Sequence, residues 1–362
     1  MIKFKVVSFL SVCLFALLVS CQNEEPQLHE TFFERGTPEE LGLSNSVFVS
    51  LATKAQELPN LYSYLVIKDR TIVAESYANG ADSESLLHIR SITKSISSIL
   101  IGIALDEGSI SSTDIRLETL YPEYIEQDRD DKISQVTLEH ILDMQSGFQW
   151  NENREAIAWY TSVPDSWSYI FSKPVNTAPG TVFNYNSGAA SLLTRFLESN
   201  QSLGYEAFAA ARLFNRLGIN NYAWETDRLG RTRPDAGLQM RAIDLAKIGY
   251  LMMHDGFIGD SSIIPSDWID TSWQFEIDLK GNYITMNKLH YNNLWWMAEY
   301  KGVKVYFAVG YGGQLMLCVP RYDLMVITHH EFRLDANVVG EHTSRFITQI
   351  FTPLMEEIIA SE

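Results

Sequence analysis

Ser91 and Lys94 stand three positions apart in the stretch RSITKSISSILIGIALDEG, which runs from Arg90 to Gly108. At helical spacing such residues are neighbours on one side of the helix. A serine hydroxyl is a poor nucleophile until a base takes its proton, and an amine can be that base only when its pKa is lowered. A lysine half buried one turn from the serine loses charge stabilisation through desolvation, which is the shift required. Ser91, Lys94, Ser95 and Ser98 share one face, whereas Ile92, Ile96, Ile99 and Ile103 recur on the opposite side and Gly108 reads as the stop. The spacing predicts a helix buried on one face and polar on the other. A Ser-x-x-Lys pair also arises by chance in a chain of ordinary composition, so it carries weight only with companions.

The elements around it must place that helix. Leu61–Lys68 and Thr71–Tyr77 read as two strands joined at Asp69-Arg70. From Ser111 to about Asp235 the pattern changes to short helices and aromatic-rich loops. Thr137 caps one short helix that ends near Ser146-Gly147, and a Pro179-Gly180 turn leads through an extended stretch to a helix from about Gly188. MRAIDLAKIGYLMMHDG is an amphipathic helix closed by Gly256. After Asn282 the signal turns to strands, notably Val303–Val309, Gln314–Val319 and Leu324–His329, followed by a C-terminal helix from about Glu341. With strands at both ends, the economical architecture is α/β of the α+β type: one mixed, mostly antiparallel sheet flanked by helices, with a mainly helical region inserted. Residues 35–110 and 236–362 would form the sheet region and 111–235 the insert. The start of the Ser91 helix would then face a cleft between the two regions.

Three short motifs in order now carry a resemblance. SITK on a helix, YNS at Tyr185–Ser187 and GYGGQ at Gly310–Gln314 between two late strands resemble the three motifs of the serine beta-lactamase and penicillin-binding-protein superfamily. The flanks LLHIRSITKSISSILIGIALDEGSI, LEHILDMQSGFQW, PGTVFNYNSGAASLL and FAVGYGGQLMLCVP are similar to its esterase and 6-aminohexanoate-dimer-hydrolase branch, and the resemblance spans roughly Thr37 to Met355. It implies a beta-lactamase/transpeptidase-like fold, an acyl-enzyme on Ser91, and Lys94 and Tyr185 as general base and acid. A nearby ammonium would favour the Tyr185 phenolate, so the residues leave open which of the two is the resting base. An oxyanion hole would use the Ser91 amide at the helix N-terminus and a second amide from the Gly310–Gly313 edge, Tyr311 first and Gly312 second. Gly310 and Gly313 would let substrate approach the backbone closely. No cofactor is implied.

Two departures from the superfamily bear on substrate. Gly310 and Tyr311 stand where beta-lactamases and peptidoglycan carboxypeptidases usually place a Lys or His that pairs with a substrate carboxylate, and a tyrosine hydroxyl cannot supply that charge-assisted bond. Ser187 stands where many relatives have Asn, and it is expected to bond Lys94 or substrate. The substrate class is therefore an ester or small amide, with beta-lactams or D-alanyl peptides as the rival class and a catalytically silent ligand-binding protein as the rival of another kind. Aromatics crowd the insert, and Trp150 and Trp159 are the candidates for the wall of an apolar acyl pocket beside their alternative reading as core.

Composition bounds the rest. The 362-residue chain is 46% hydrophobic and 20% charged, which excludes a largely disordered protein. Its first residues, MIKFKVVSFLSVCLFALLVSC, have the layout of a signal peptide over 1–20, and Leu18-Val19-Ser20-Cys21 resembles the bacterial lipobox, which implies an exported lipoprotein anchored through lipid on Cys21 with a tether over 21–34. Loss of Lys3 and Lys5 with that leader would take the formal charge from −17 to −19. Such a surface repels nucleic-acid phosphates and anionic headgroups, so no nucleic-acid partner is expected and the lipid would be the membrane attachment. Cys318 would remain as a single thiol, which leaves no disulfide framework. His329 and His330 are adjacent and would point to opposite faces of a strand end, which is no metal-binding spacing.

Overall fold

A computed structural model describes residues 32–125, 131–200 and 202–362. The expected leader and Cys21 lie outside the described residues. The central sheet takes strands from both ends of that span: β1 (Glu34–Arg35), β2 (Leu61–Lys68), β3 (Thr71–Tyr77), β4 (Ile277–Tyr283), β5 (Met286–Asn292), β6 (Trp295–Tyr300), β7 (Val303–Gly310), β8 (Gln314–Val319) and β9 (Leu324–His330). These nine strands lie in the order β1-β3-β2-β9-β8-β7-β6-β5-β4. Only the β1–β3 pair is parallel. Asp69 and Arg70, both at positive φ (49° and 59°), make the tight β2–β3 turn, which suits the right-handed twist of the strands it joins.

The central strands are apolar at nearly every position because both faces of the sheet are covered. The helices that cover them are α1 (Asn45–Gln56), α2 (Ile92–Asp106), α4 (Ala242–Met253), α5 (Ala336–Phe346) and α6 (Thr352–Ala360), with α3 (Glu152–Ser162) lying in the insert. On one face Tyr64, Val66, Leu315, Leu317 and Val326 pack with Phe48 and Leu51 of α1, Phe346 of α5 and Leu354 of α6. On the other, Leu65, Ile67, Met316, Cys318, Met325 and Ile327 share a core with α2, α4 and the insert. Successive side chains thus alternate between two cores, as the period of a strand requires. The sheet is mixed and mostly antiparallel with helices on both faces, as the sequence predicts.

Two expectations need correction. The C-terminal helix begins at Ala336 rather than near Glu341, because Asp335 caps it by accepting from the Asn337 amide at 2.9 Å. More consequential, the polar side of α2 does not line a cleft along its length: every residue from Ile92 to Ala104 is buried, and its serines are internal. Ser95 donates to the Leu294 carbonyl at 2.7 Å and Ser97 to the Pro234 carbonyl at 2.8 Å. The helix is also held close on its far side. A Cβ at Gly102 would lie 2.2 Å from Cγ of Trp268, so only glycine lets the ring approach the backbone there.

Candidate active site

Ser91 is the residue immediately before α2, and the chain reaches it through Arg90 in the left-handed region at φ 51°. That conformation is uncommon for a residue with a branched or long side chain and persists where surrounding structure fixes it. The fixing contacts are on both sides of Arg90. The Ile89 amide donates to the Leu238 carbonyl at 3.1 Å, and the Thr93 hydroxyl donates to the Arg90 carbonyl at 2.6 Å. The result aims Ser91 out of the helix start, where unpaired amides and the helix dipole favour negative charge.

Lys94 follows one turn later and is 1% exposed. Its Nζ lies 3.1 Å from Ser91 Oγ and donates to the backbone carbonyl of Asp235 at 2.7 Å. Burial pushes the Lys94 ammonium below the ordinary lysine range; the charges of Glu152 and Asp235 oppose that fall, while Arg90 and Arg233 add to it. A buried lysine that keeps one donor on a carbonyl and faces a hydroxyl can hold its lone pair toward that hydroxyl when neutral. Residues Pro234 to Leu238 therefore act as a strap along the first two turns of α2, bonding Ser97, Lys94 and Ile89 in turn.

Tyr185 comes from the insert and meets the same atom. The Ser91 hydroxyl is close enough to the Tyr185 phenol to act on its proton affinity, and Lys94 Nζ sits 5.2 Å from the centre of its ring. Neighbours on each side of Tyr185 are tied down: Asn184 donates from its amide to the Met144 carbonyl at 2.7 Å, and Asn186 caps a short helix, Ser187–Ala190, by accepting from Ala189 at 2.8 Å. The Tyr185 ring stacks on Trp296 of β6 with centroids 5.8 Å apart. Burial, with the negative charges of Glu152 and Asp235, pushes the phenol up, and these outweigh the lowering by the Ser91 hydroxyl. The expectation that the lysine would draw Tyr185 toward its phenolate is thus reversed, because the desolvated phenol faces carboxylates as well as an amine whose own charge burial disfavours.

The third motif closes the site from the sheet. Gly310 ends β7 against the chain before the nucleophile: a Cβ there would lie 2.3 Å from the Ile89 carbonyl oxygen and 3.0 Å from Cβ of Arg90. Gly312 and Gly313 have φ of 104° and 92°, which side chains rarely adopt. The turn is pinned by the fully buried Gln314, whose amide donates to the carbonyls of Tyr311 (3.3 Å) and His330 (2.9 Å) and accepts from the His330 amide at 2.9 Å. Among the described residues nothing accepts a hydrogen bond from the backbone amides of Ser91, Tyr311 or Gly312. Tyr311 is the exposed member of the turn, at 40%.

Other candidates fall elsewhere. Ser187 does not reach Lys94; its hydroxyl donates to Glu152 at 2.5 Å and its amide to the same carboxylate at 3.1 Å. Trp150 and Trp159 are buried, 6% and 1% exposed, and cross edge to face with centroids 5.6 Å apart. They are not a pocket wall: their indole N–H groups go to carboxylates, Trp150 to Glu152 at 2.6 Å and Trp159 to Asp235 at 3.3 Å, so burial of each ring is compatible with its one donor only in that place. Two residues that sequence reasoning missed are Glu152 and Asp235. They set the field at Lys94 and Tyr185, and they are held by the tryptophans and by Ser187. The signal that could have found Glu152 is its position two residues after Trp150, at the start of α3. Asp235 acts on Lys94 through its backbone carbonyl, which no side-chain motif records.

A serine and a lysine on one buried helix, a tyrosine from an inserted helical region and a glycine turn from the facing strand define the class of beta-lactamase-like serine hydrolases. The chain belongs to the Beta-lactamase family, which it matches over residues 51–331. It is 22% identical over 288 residues to the 6-aminohexanoate-dimer hydrolase of Paenarthrobacter ureafaciens, covering 73% of this chain and 71% of that one. Among solved structures, the octameric penicillin-binding protein homologue from Pyrococcus abyssi superposes with a TM-score of 0.66 at 19% identity, over 85% of this chain and 77% of that one. The D-stereospecific amidohydrolase from Streptomyces does so with a TM-score of 0.62 at 13% identity, over 82% and 97%. These structural likenesses show the fold.

Proposed function

We propose that this protein hydrolyses esters or small amides through a covalent acyl-enzyme on Ser91, with Lys94 as the resting base and Tyr185 as the proton carrier to the leaving group. The observation that carries the reading is the buried Lys94 amine 3.1 Å from Ser91 Oγ, with burial disfavouring its charge. Neutral Lys94 takes the Ser91 proton as Oγ bonds to the carbonyl carbon. The Tyr185 phenol gives its proton to the leaving oxygen or nitrogen as the bond to the acyl carbon breaks, and the Lys94 ammonium returns a proton to Tyr185. Water then attacks the acyl carbon with the same groups working in reverse. The amides of Ser91 and of Tyr311 or Gly312 are the proposed donors to the oxyanion. The opposite directions in which Lys94 and Tyr185 are shifted support this division of roles.

The test is intact-mass analysis after incubation with a fluorophosphonate and with a chromogenic short-chain ester. One adduct per chain on Ser91, absent from Ser91→Ala, is expected; a wild-type protein that forms no adduct and turns over no ester refutes the reading and leaves the ligand-binding alternative. Gly310 and Tyr311 in place of a cation argue for slow nitrocefin turnover relative to esters, and fast nitrocefin hydrolysis would move the assignment to beta-lactams. We further propose attachment to the envelope through lipid on Cys21, to be checked by metabolic labelling with a fatty acid in wild type and Cys21→Ala.

A further inference from the structure

Five side chains from four segments form a column beside the nucleophile. Going along it, the Arg233 guanidinium lies 4.1 Å from the Tyr160 ring centre, Arg90 lies 4.3 Å from the centre of that same ring, and Arg90 is 4.5 Å from the Phe332 ring, which Arg333 approaches at 5.3 Å. The Arg90 guanidinium is thus clamped between two aromatic faces, one from α3 and one from the chain just after β9. Each such contact is attractive, more so where water is excluded, and together they fix the plane of the group.

The three arginines differ in what they bond. Arg233 reaches Asp235 at 3.4 Å, and Arg333 reaches Glu331 at 3.6 Å. Arg90 has no carboxylate within ion-pair distance among the described residues, and its Nε is buried without a hydrogen-bond partner. Glu225, the carboxylate next to this column, is held by the Tyr160 hydroxyl and has His88 at 3.8 Å. His88 itself packs on Phe332. In a chain with a formal charge of −17, an arginine left unpaired at its edge while both faces are covered is poised for an anion from outside. With both faces stacked, the guanidinium can bond an anion only through its N–H edge, whose geometry matches the two oxygens of a carboxylate.

We propose that Arg90 is a specificity-determining residue that receives a free carboxylate on the substrate, so that the preferred substrates of this hydrolase are anionic esters or amides. The proposal rests on the Ser91 acyl-enzyme reading. The position of Arg90 fits this role, since it directly precedes Ser91 and touches the Gly310 turn, which puts its backbone between the nucleophile and the third motif. It supplies a cation in a site whose third motif offers none. Glu152 and Asp235, the other charges at the site, are engaged by Ser187, Trp150, Trp159 and Arg233 and do not neutralise it.

The experiment compares matched substrate pairs that differ only in charge. Mono-4-nitrophenyl adipate and its methyl ester place the carboxylate on the acyl side; 4-(butyryloxy)benzoate and its methyl ester place it on the leaving side. For wild type, kcat/KM for the carboxylate member of at least one pair should exceed that of its methyl ester by about tenfold or more at low salt, and the excess should shrink as salt is added. In Arg90→Gln that ratio should fall to near unity, and in Arg90→Lys, which keeps the charge but not the planar fork, it should take an intermediate value. The ratio is read rather than the rate, so a general loss of activity from disturbing Arg90 cancels. A wild type that hydrolyses both members of each pair equally, or an Arg90→Gln enzyme that keeps the wild-type ratio, overturns the proposal while the hydrolase reading stands. Absence of any turnover together with absence of a fluorophosphonate adduct removes the hydrolase reading, and this proposal with it.

Discussion

Replacing Lys94 by Met separates the two consequences of burying an amine beside a serine. Lys94 is 1% exposed, and burial holds its ammonium below the ordinary value of 10.5. The unfolded chain keeps its proton up to that ordinary range, whereas the folded chain releases it at lower pH. In the interval between, the unfolded state binds more protons, so the stability of the wild type rises with pH there, by up to about 1.4 kcal/mol per pH unit for this one group. Below the interval the wild type carries the full penalty of a buried ammonium, and above 10.5 that penalty has gone. Lys94→Met has no such group. It does lose the donor to the Asp235 carbonyl, 2.7 Å away in the wild type, at a cost of about 1–3 kcal/mol that does not vary with pH. The expected pattern is a variant whose stability relative to wild type is greatest at low pH and declines as pH rises, with acylation slowed by about 10²- to 10⁴-fold throughout. Urea unfolding of both proteins from about pH 6 to about pH 10, beside pre-steady-state acylation by an activated ester, measures this. Parallel stability curves over that range would mean that Lys94 titrates as it does in the unfolded chain, and Lys94 as the resting base would have to be abandoned.

Glu152→Gln removes a negative charge that holds Lys94 up, so the apparent pKa of acylation should move down; an unchanged pH–rate profile would show that the carboxylate does not act on the base. Gly102→Ala should destabilise despite the better helix propensity of alanine, since the gain of about 1 kcal/mol is exceeded by about 1–3 kcal/mol of overpacking against Trp268, and urea midpoints decide it. Gln314→Leu frees the turn that carries Tyr311 and Gly312, leaving the His330 amide and carbonyl unpaired; kcat should fall more than KM rises, with about 1–3 kcal/mol lost in unfolding free energy.

Much of the fold was legible where one physical signal dominated. The strands Leu61–Lys68, Thr71–Tyr77 and Gln314–Val319 stand where alternation and the Asp69-Arg70 turn placed them, because a two-residue turn and a two-sided core leave little freedom of register. The helix after Ser91 was legible from its period and its polar side was read as turned inward, but the partners of that side were not legible: the carbonyls of Leu294 and Pro234 are brought to Ser95 and Ser97 by remote chain. At the site, Ser91, Lys94 and Tyr185 are brought together, and the Gly310 turn abuts them. Ser187 was misread because its partner, Glu152, lies in the insert and its approach is a tertiary fact. Trp150 and Trp159 were left between pocket wall and core, and both are core: an indole gives no sign in sequence of whether its N–H will meet water, a ligand or a buried carboxylate. Arg90 was passed over as a flank of the serine motif, since a stacked and unpaired guanidinium is defined by Tyr160 and Phe332, far away in the chain.

The seam between β2 and β9 has a consequence for how the molecule comes to exist. It pairs Lys68 with Leu324 and runs on to Ser63 and His329, whose side chains bond across 266 positions of sequence. Loop closure on that scale delays non-local pairing, so during synthesis the β2–β3 hairpin emerges long before its central neighbour and waits with one edge unpaired. That edge carries Tyr64, Leu65, Val66 and Ile67, a short run of strong strand formers without a charge. A chain cut short between Tyr77 and Leu324 lacks the strand that covers this edge and part of the core that buries the Ser91 helix, so such a product is expected to behave as a template for aggregation rather than as a weak enzyme.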